Sequence, residues 1–145
     1  MNMALKKQFA QQYANTYVET SVSEASPHKL VEMLYDSALK NLGIAKVFIE
    51  QKDYAKKSVF LNKALSIISA LRAGVDMEKG GEVAVNLYAL YDYCYRQTFE
   101  ASVKNDAAIV DEVIELISEI SDAWKQMPNN IKSVSKEQLD NMSVS

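Results

Sequence analysis

The stretch Ser26-Pro-His-Lys-Leu-Val-Glu-Met-Leu-Tyr-Asp-Ser-Ala-Leu-Lys-Asn-Leu-Gly-Ile-Ala-Lys-Val-Phe-Ile-Glu50 carries a helix start and six turns of helical period in one run. Ser26 is a residue type that caps helices, and Pro27 stands at the first helical position, where its missing N–H is no loss. Val31, Tyr35, Ala38, Leu42, Ala45 and Ile49 then alternate in steps of four and three, with Leu30, Leu34 and Phe48 widening the same face. The pattern predicts a helix ending near Gln51-Lys52. Downstream, Asp53 can cap a second helix, in which Leu61, Ala64, Ile68, Leu71 and Val75 repeat the spacing up to Gly74. A polar link over 76–81 contains Gly80-Gly81, and the period resumes in a third helix at Ala84, Leu87, Tyr91, Cys94, Thr98 and Ala101. Asp106 caps a fourth, with Val110, Val113, Ile117, Ile120, Trp124 and Met127 on its stripe and Pro128 as its stop. Short links make sequential helices antiparallel, and wide apolar stripes let each touch two neighbours. The expected fold is therefore all-α, an antiparallel up-down four-helix bundle over residues 21–128.

Composition agrees. The 145 residues include only four Gly and two Pro, about a third of ordinary usage, too few for the frequent turns of a sandwich or barrel. Leu5, Phe9, Tyr13 and Tyr17 share one helical stripe on a polar background, so residues 1–20 are expected to hold a short, separate amphipathic helix. Residues 129–145 have scattered apolar positions without a period and are expected to form a disordered tail. The net charge of -3 argues against a broad electrostatic grip on nucleic acid. No apolar run approaches the roughly 18 residues needed for a membrane span, and no secretory core follows Lys6 and Lys7. A single cysteine cannot form an internal disulfide. Together these features predict a cytosolic protein with no nucleic-acid partner and no membrane insertion.

The candidates for chemistry are few. His28 is the only histidine; directly after Pro27 it reads as a helix-start residue, and nothing in the sequence points to a nucleophile and carboxylate to serve with it. Neither Glu-x-x-His motif of a di-metal bundle is present, and a zinc site lacks ligands. Cys94 lies on the core stripe as a small hydrophobe. Gly80-Gly81 is accompanied by no phosphate-binding motif and instead marks a helix start with unusual backbone angles. Asp111, Glu112, Glu115, Glu119 and Asp122 oppose the apolar stripe of the fourth helix, either as a solvated face or as an electrostatic guide for a partner. No catalytic residue, metal or cofactor is expected.

Apolar surface in excess of the core is the more informative feature. Tyr88, Tyr95 and Phe99 group on a shoulder of the third helix, while Met33, Ile44 and Val47 lie off the main stripe of the first. Such residues serve core or subunit packing, or else line a groove for a partner helix. Two classes of function remain open on this basis: a binding module, and a structural bundle that uses its apolar surface for self-association only.

The chain resembles the FliS family of flagellar secretion chaperones across residues 10 to 127. The resemblance is carried by Ala25-Ser-Pro-His-Lys-Leu-Val-Glu-Met-Leu-Tyr-Asp36, by Glu78-Lys-Gly-Gly-Glu-Val-Ala-Val-Asn-Leu-Tyr-Ala-Leu-Tyr-Asp-Tyr93, by Asn105-Asp106 with Glu112-Val113, and by Ala123-Trp124. Ser37 departs from the family pattern, which more often has Gly there. The resemblance implies a helical bundle that binds the disordered C-terminal segment of flagellin in the cytoplasm, prevents premature polymerisation, keeps the subunit competent for type III export, and docks with the export-gate protein FlhA once flagellin is bound. It implies no enzyme activity. It also matches Tyr13 to a tyrosine of the family's N-terminal segment, which covers part of the flagellin site in the empty chaperone; Leu5, Phe9 and Tyr17 share its stripe and are assigned the same role as a displaceable cap. The expected partner contacts are Tyr88, Tyr95 and Phe99, with Met33, Ile44 and Val47 as lesser ones.

Overall fold

A computed structural model describes residues 26–126. Four helices fill them in order: α1 (Pro27–Glu50), α2 (Tyr54–Ala73), α3 (Gly81–Lys104) and α4 (Ala107–Lys125). No strand occurs among the described residues. The expected N-terminal helix and tail lie outside these residues, as does Pro128; within them α4 closes at Gln126.

Local chemistry sets each boundary. The Ser26 hydroxyl accepts the Lys29 N–H at 3.1 Å, Asp53 accepts that of Lys56 at 3.2 Å, and Asp106 accepts that of Ala108 at 2.9 Å, each satisfying one donor that the first helical turn leaves free. Between α1 and α2 the reversal falls on Lys52 at φ 61, and between α3 and α4 on Asn105 at φ 52. Gly74 closes α2 in ordinary right-handed geometry. The glycine pair before α3 is used fully: Gly81 sits at φ 59, and a Cβ on Gly80 would come within 2.3 Å of the Ala84 Cβ. Asp76 organises this link by accepting the N–H groups of Glu78 and Lys79, both at 3.1 Å.

Contacts run around a ring, α1 to α2 to α3 to α4 and back to α1, so α1 and α3 occupy opposite corners, as do α2 and α4. Pairings of early with late residues make every neighbour antiparallel: Phe48 stacks on Phe60, Lys57 donates to the Ser102 carbonyl at 2.9 Å, and Lys46 pairs with Asp111 at 2.9 Å. Inside, Leu42, Leu61, Ile67, Ile68, Val110, Val113 and Ile117 are fully buried, interleaved with Ala38, Ala45, Ala64 and Ala101. Each large aliphatic contributes roughly 1.5–3 kcal/mol by leaving water, and the alanines let the backbones approach. Residues of the periodic stripes supply this core.

Candidate interaction surface

With the core closed, the longest row of exposed apolar residues lies on α3, and others lie on α1, α2 and the link before α3. On α3 the shoulder facing α2 carries Tyr88, 38% exposed, and Phe99, 55% exposed, with half-buried Tyr95 between them. Val85 and Val103, also exposed, extend the row at both ends. The 3–4 spacing that marked the core stripe continues from Val85 to Tyr88, and from Tyr95 to Phe99 and Val103, so the same period on the shoulder is the signal that would have included the two valines.

Charges interrupt this row at its centre. Arg72 of α2 lies over the Tyr95 ring, 4.6 Å from its centroid, and donates to Asp92 at 2.8 Å; Asp92 also accepts from Arg96 at 3.0 Å. The guanidinium thus pins Tyr95 against α2, where the residue stays half-buried. On the α4 side of α3, Tyr93 donates to Glu112 at 2.6 Å, and that bond holds its phenol proton more firmly than usual.

The α1 candidates separate. Val47 is 50% exposed and Ile44 half-buried on the outer face, but Met33, at 6%, belongs to the core. Of the alternatives open for this off-stripe residue, core packing is the one Met33 takes, because the buried surface of α1 near its start is wider than one stripe. Since α1 and α3 are opposite corners, no single groove joins Ile44 and Val47 to Tyr88 and Phe99. A ligand touching both sets must wrap around the bundle.

The groups considered for chemistry are occupied structurally. His28 is buried, with its ring stacked on Trp124 at 4.5 Å, Nδ1 3.4 Å from Glu32 and Nε2 3.3 Å from the Trp124 carbonyl. The Trp124 indole donates to the His28 carbonyl at 3.1 Å. Reading His28 only as a helix-start residue missed this clasp between the beginning of α1 and the end of α4, which no single-helix pattern contains. Cys94 is fully buried, and burial pushes its thiol up to about 11. Among the described residues no cluster of His, Cys, Asp or Glu could hold a metal ion, and no helix is long and apolar enough to cross a membrane.

Comparison with known proteins places this bundle. A family model described as flagellar protein FliS matches residues 9–131. The flagellar secretion chaperone FliS of Salmonella typhimurium is 49% identical over 79% of this chain and 86% of its own. Its counterpart in Vibrio cholerae is 43% identical over 81% and 87%, and that of Bacillus subtilis 36% over 76% and 81%. A match over most of the chain, with relatives at these identities spanning four-fifths or more of their own length, means that this chain belongs to the FliS family of flagellar secretion chaperones.

Proposed function

We propose that the chain is a cytosolic, non-enzymatic chaperone whose client is the C-terminal segment of flagellin. It holds that segment away from premature polymerisation, keeps it competent for export, and presents the loaded complex to FlhA. The supporting observation is the row Val85, Tyr88, Tyr95, Phe99 and Val103, which stays at the surface of a bundle whose core is already filled. An unfolded amphipathic segment can cover such a row by folding onto it, spending part of the contact energy on its own ordering and so remaining releasable. Ile44 and Val47, around the corner, fit a client that wraps. Leu5, Phe9, Tyr13 and Tyr17 are proposed to act as a displaceable cap over part of this surface.

Calorimetric titration of the full chain with a flagellin C-terminal peptide tests the reading. Binding at defined stoichiometry is expected, and Tyr95→Ala should weaken it by about 2 kcal/mol, roughly 30-fold, with little loss of thermal stability. A variant that loses stability while its folded fraction binds normally would place Tyr95 in the packing alone. If sedimentation shows self-association that the peptide leaves unchanged, the apolar row serves assembly of the bundle with itself.

A further inference from the structure

A second apolar surface lies on the outer side of the α1–α2 hairpin, and the charge beside it is predominantly basic, with Glu50 and Asp53 confined to the turn. Phe48 and Phe60 stack at 5.7 Å, bordered by Ile44 and by Val59, which is 51% exposed. Ammonium groups line the border: Lys56, ion-paired with Asp53 at 3.7 Å, is held 5.6 Å above the Phe48 ring and Lys63 5.0 Å above that of Phe60, with Lys40 one turn before Ile44. Lys40 and Lys63 form no ion pair among the described residues. Alone among the four helices, α2 has no carboxylate, against Lys56, Lys57, Lys63 and Arg72. At the opposite corner α4 has five carboxylates and one lysine.

We infer that this α1–α2 face is a docking surface for an acidic amphipathic helix, supplied by the same client segment that covers the α3 row. The inference rests on the client reading given above and adds the chemistry of the segment. Its apolar stripe would cover Ile44, Phe48, Phe60 and Val59, while carboxylates beside that stripe meet Lys40, Lys56 and Lys63. Continuity supports a single occupant: α2 is the wall shared by this face and the α3 row, so a chain leaving one reaches the other by crossing α2 alone. Complementarity supports an acidic one, because a basic segment would meet the ammonium groups of Lys40 and Lys63, which have no ion pair among the described residues, and be drawn to α4 instead.

The test compares wild type, Lys40→Glu/Lys63→Glu and Val59→Asp by titration with the flagellin C-terminal peptide at about 50 and about 300 mM salt, a range over which screening of exposed charges changes strongly. Wild-type affinity should fall with salt. The charge reversal should weaken low-salt binding about tenfold and remove most of the salt dependence, and Val59→Asp should weaken binding at both concentrations, all with unchanged thermal stability. Wild-type affinity and salt response in both variants would overturn the inference while leaving the client reading in place. Failure of the peptide to bind wild type would remove that reading and this inference together. A concentration-dependent dimer of the free protein abolished by Lys40→Glu/Lys63→Glu would show that a second copy occupies the face, and would likewise overturn it.

Discussion

The hydroxyls of Tyr35 and Tyr91 meet at 2.5 Å in the middle of the bundle, linking the diagonal helices α1 and α3. Burial opposes ionisation of both: Tyr35 is pushed up to about 12, the bond to Tyr91 offsetting part of the shift, and Tyr91 is raised further. With folded values above the ordinary value near 10, the native state holds these protons longer than the unfolded chain. Their contribution to stability is complete below about pH 10 and declines as pH rises beyond it. The pair also makes a sharper prediction. Tyr35→Phe leaves the Tyr91 hydroxyl buried without this partner and should cost about 1–3 kcal/mol, whereas Tyr35→Phe/Tyr91→Phe removes donor and acceptor together and should cost less than the single change. Urea unfolding of the two variants measures this, and a double variant less stable than the single would show that the hydroxyls contribute more than mutual satisfaction. Periodicity assigns both tyrosines to the core stripes of their helices. That they meet each other depends on the relative rotation of two diagonal helices, which neither stripe encodes.

Within α1, Gly43 is the one residue at odds with its element. Helical backbone surrounds it, and beyond that local backbone and the adjacent residues no heavy atom comes within 4 Å of the position a Cβ would take, so no packed neighbour needs the space. Gly43→Ala should therefore stabilise the bundle by about 1 kcal/mol through helix propensity alone, seen as a raised urea midpoint at unchanged slope. A loss of stability would reveal a close approach. If stability rises while peptide affinity falls, the client uses the gap. The helices themselves are written locally: Ser26, Asp53 and Asp106 cap where their residue types predict, because a cap needs only its own first turn. The clasp of His28 with Trp124 and the bridge from Arg72 to Asp92 and Tyr95 join residues 20 or more positions apart. Helix period fixes which side a residue faces, and such joins need the packing that follows.

For the molecule as a whole, the ring order of the helices turns three local features into one arrangement: an apolar row on α3, a basic α2 beside it, and an aromatic face on α1–α2 beyond. The row of Tyr88, Tyr95 and Phe99 was readable as surplus because shoulder positions follow from period, whereas Met33 and Val47, both off the main α1 stripe, could be told apart only by burial. A surface of this extent, left open, favours nonspecific association, which gives the proposed cap a physical rationale. The cap proposed for Leu5, Phe9, Tyr13 and Tyr17 would compete with the client, so that the empty chain would bind with its affinity reduced to the fraction of time the surface is uncovered. Removing residues 1–17 should then tighten binding of the flagellin C-terminal peptide by the inverse of that uncovered fraction. Because the core among residues 26–126 is filled by α1 to α4, the shortened chain should keep the helical content of those four helices and their cooperative unfolding. Calorimetry and circular dichroism on the two chains measure both quantities. Tighter binding with greater self-association identifies a displaceable cap; weaker binding by a folded bundle assigns the segment to the client's contacts and ends the competition model.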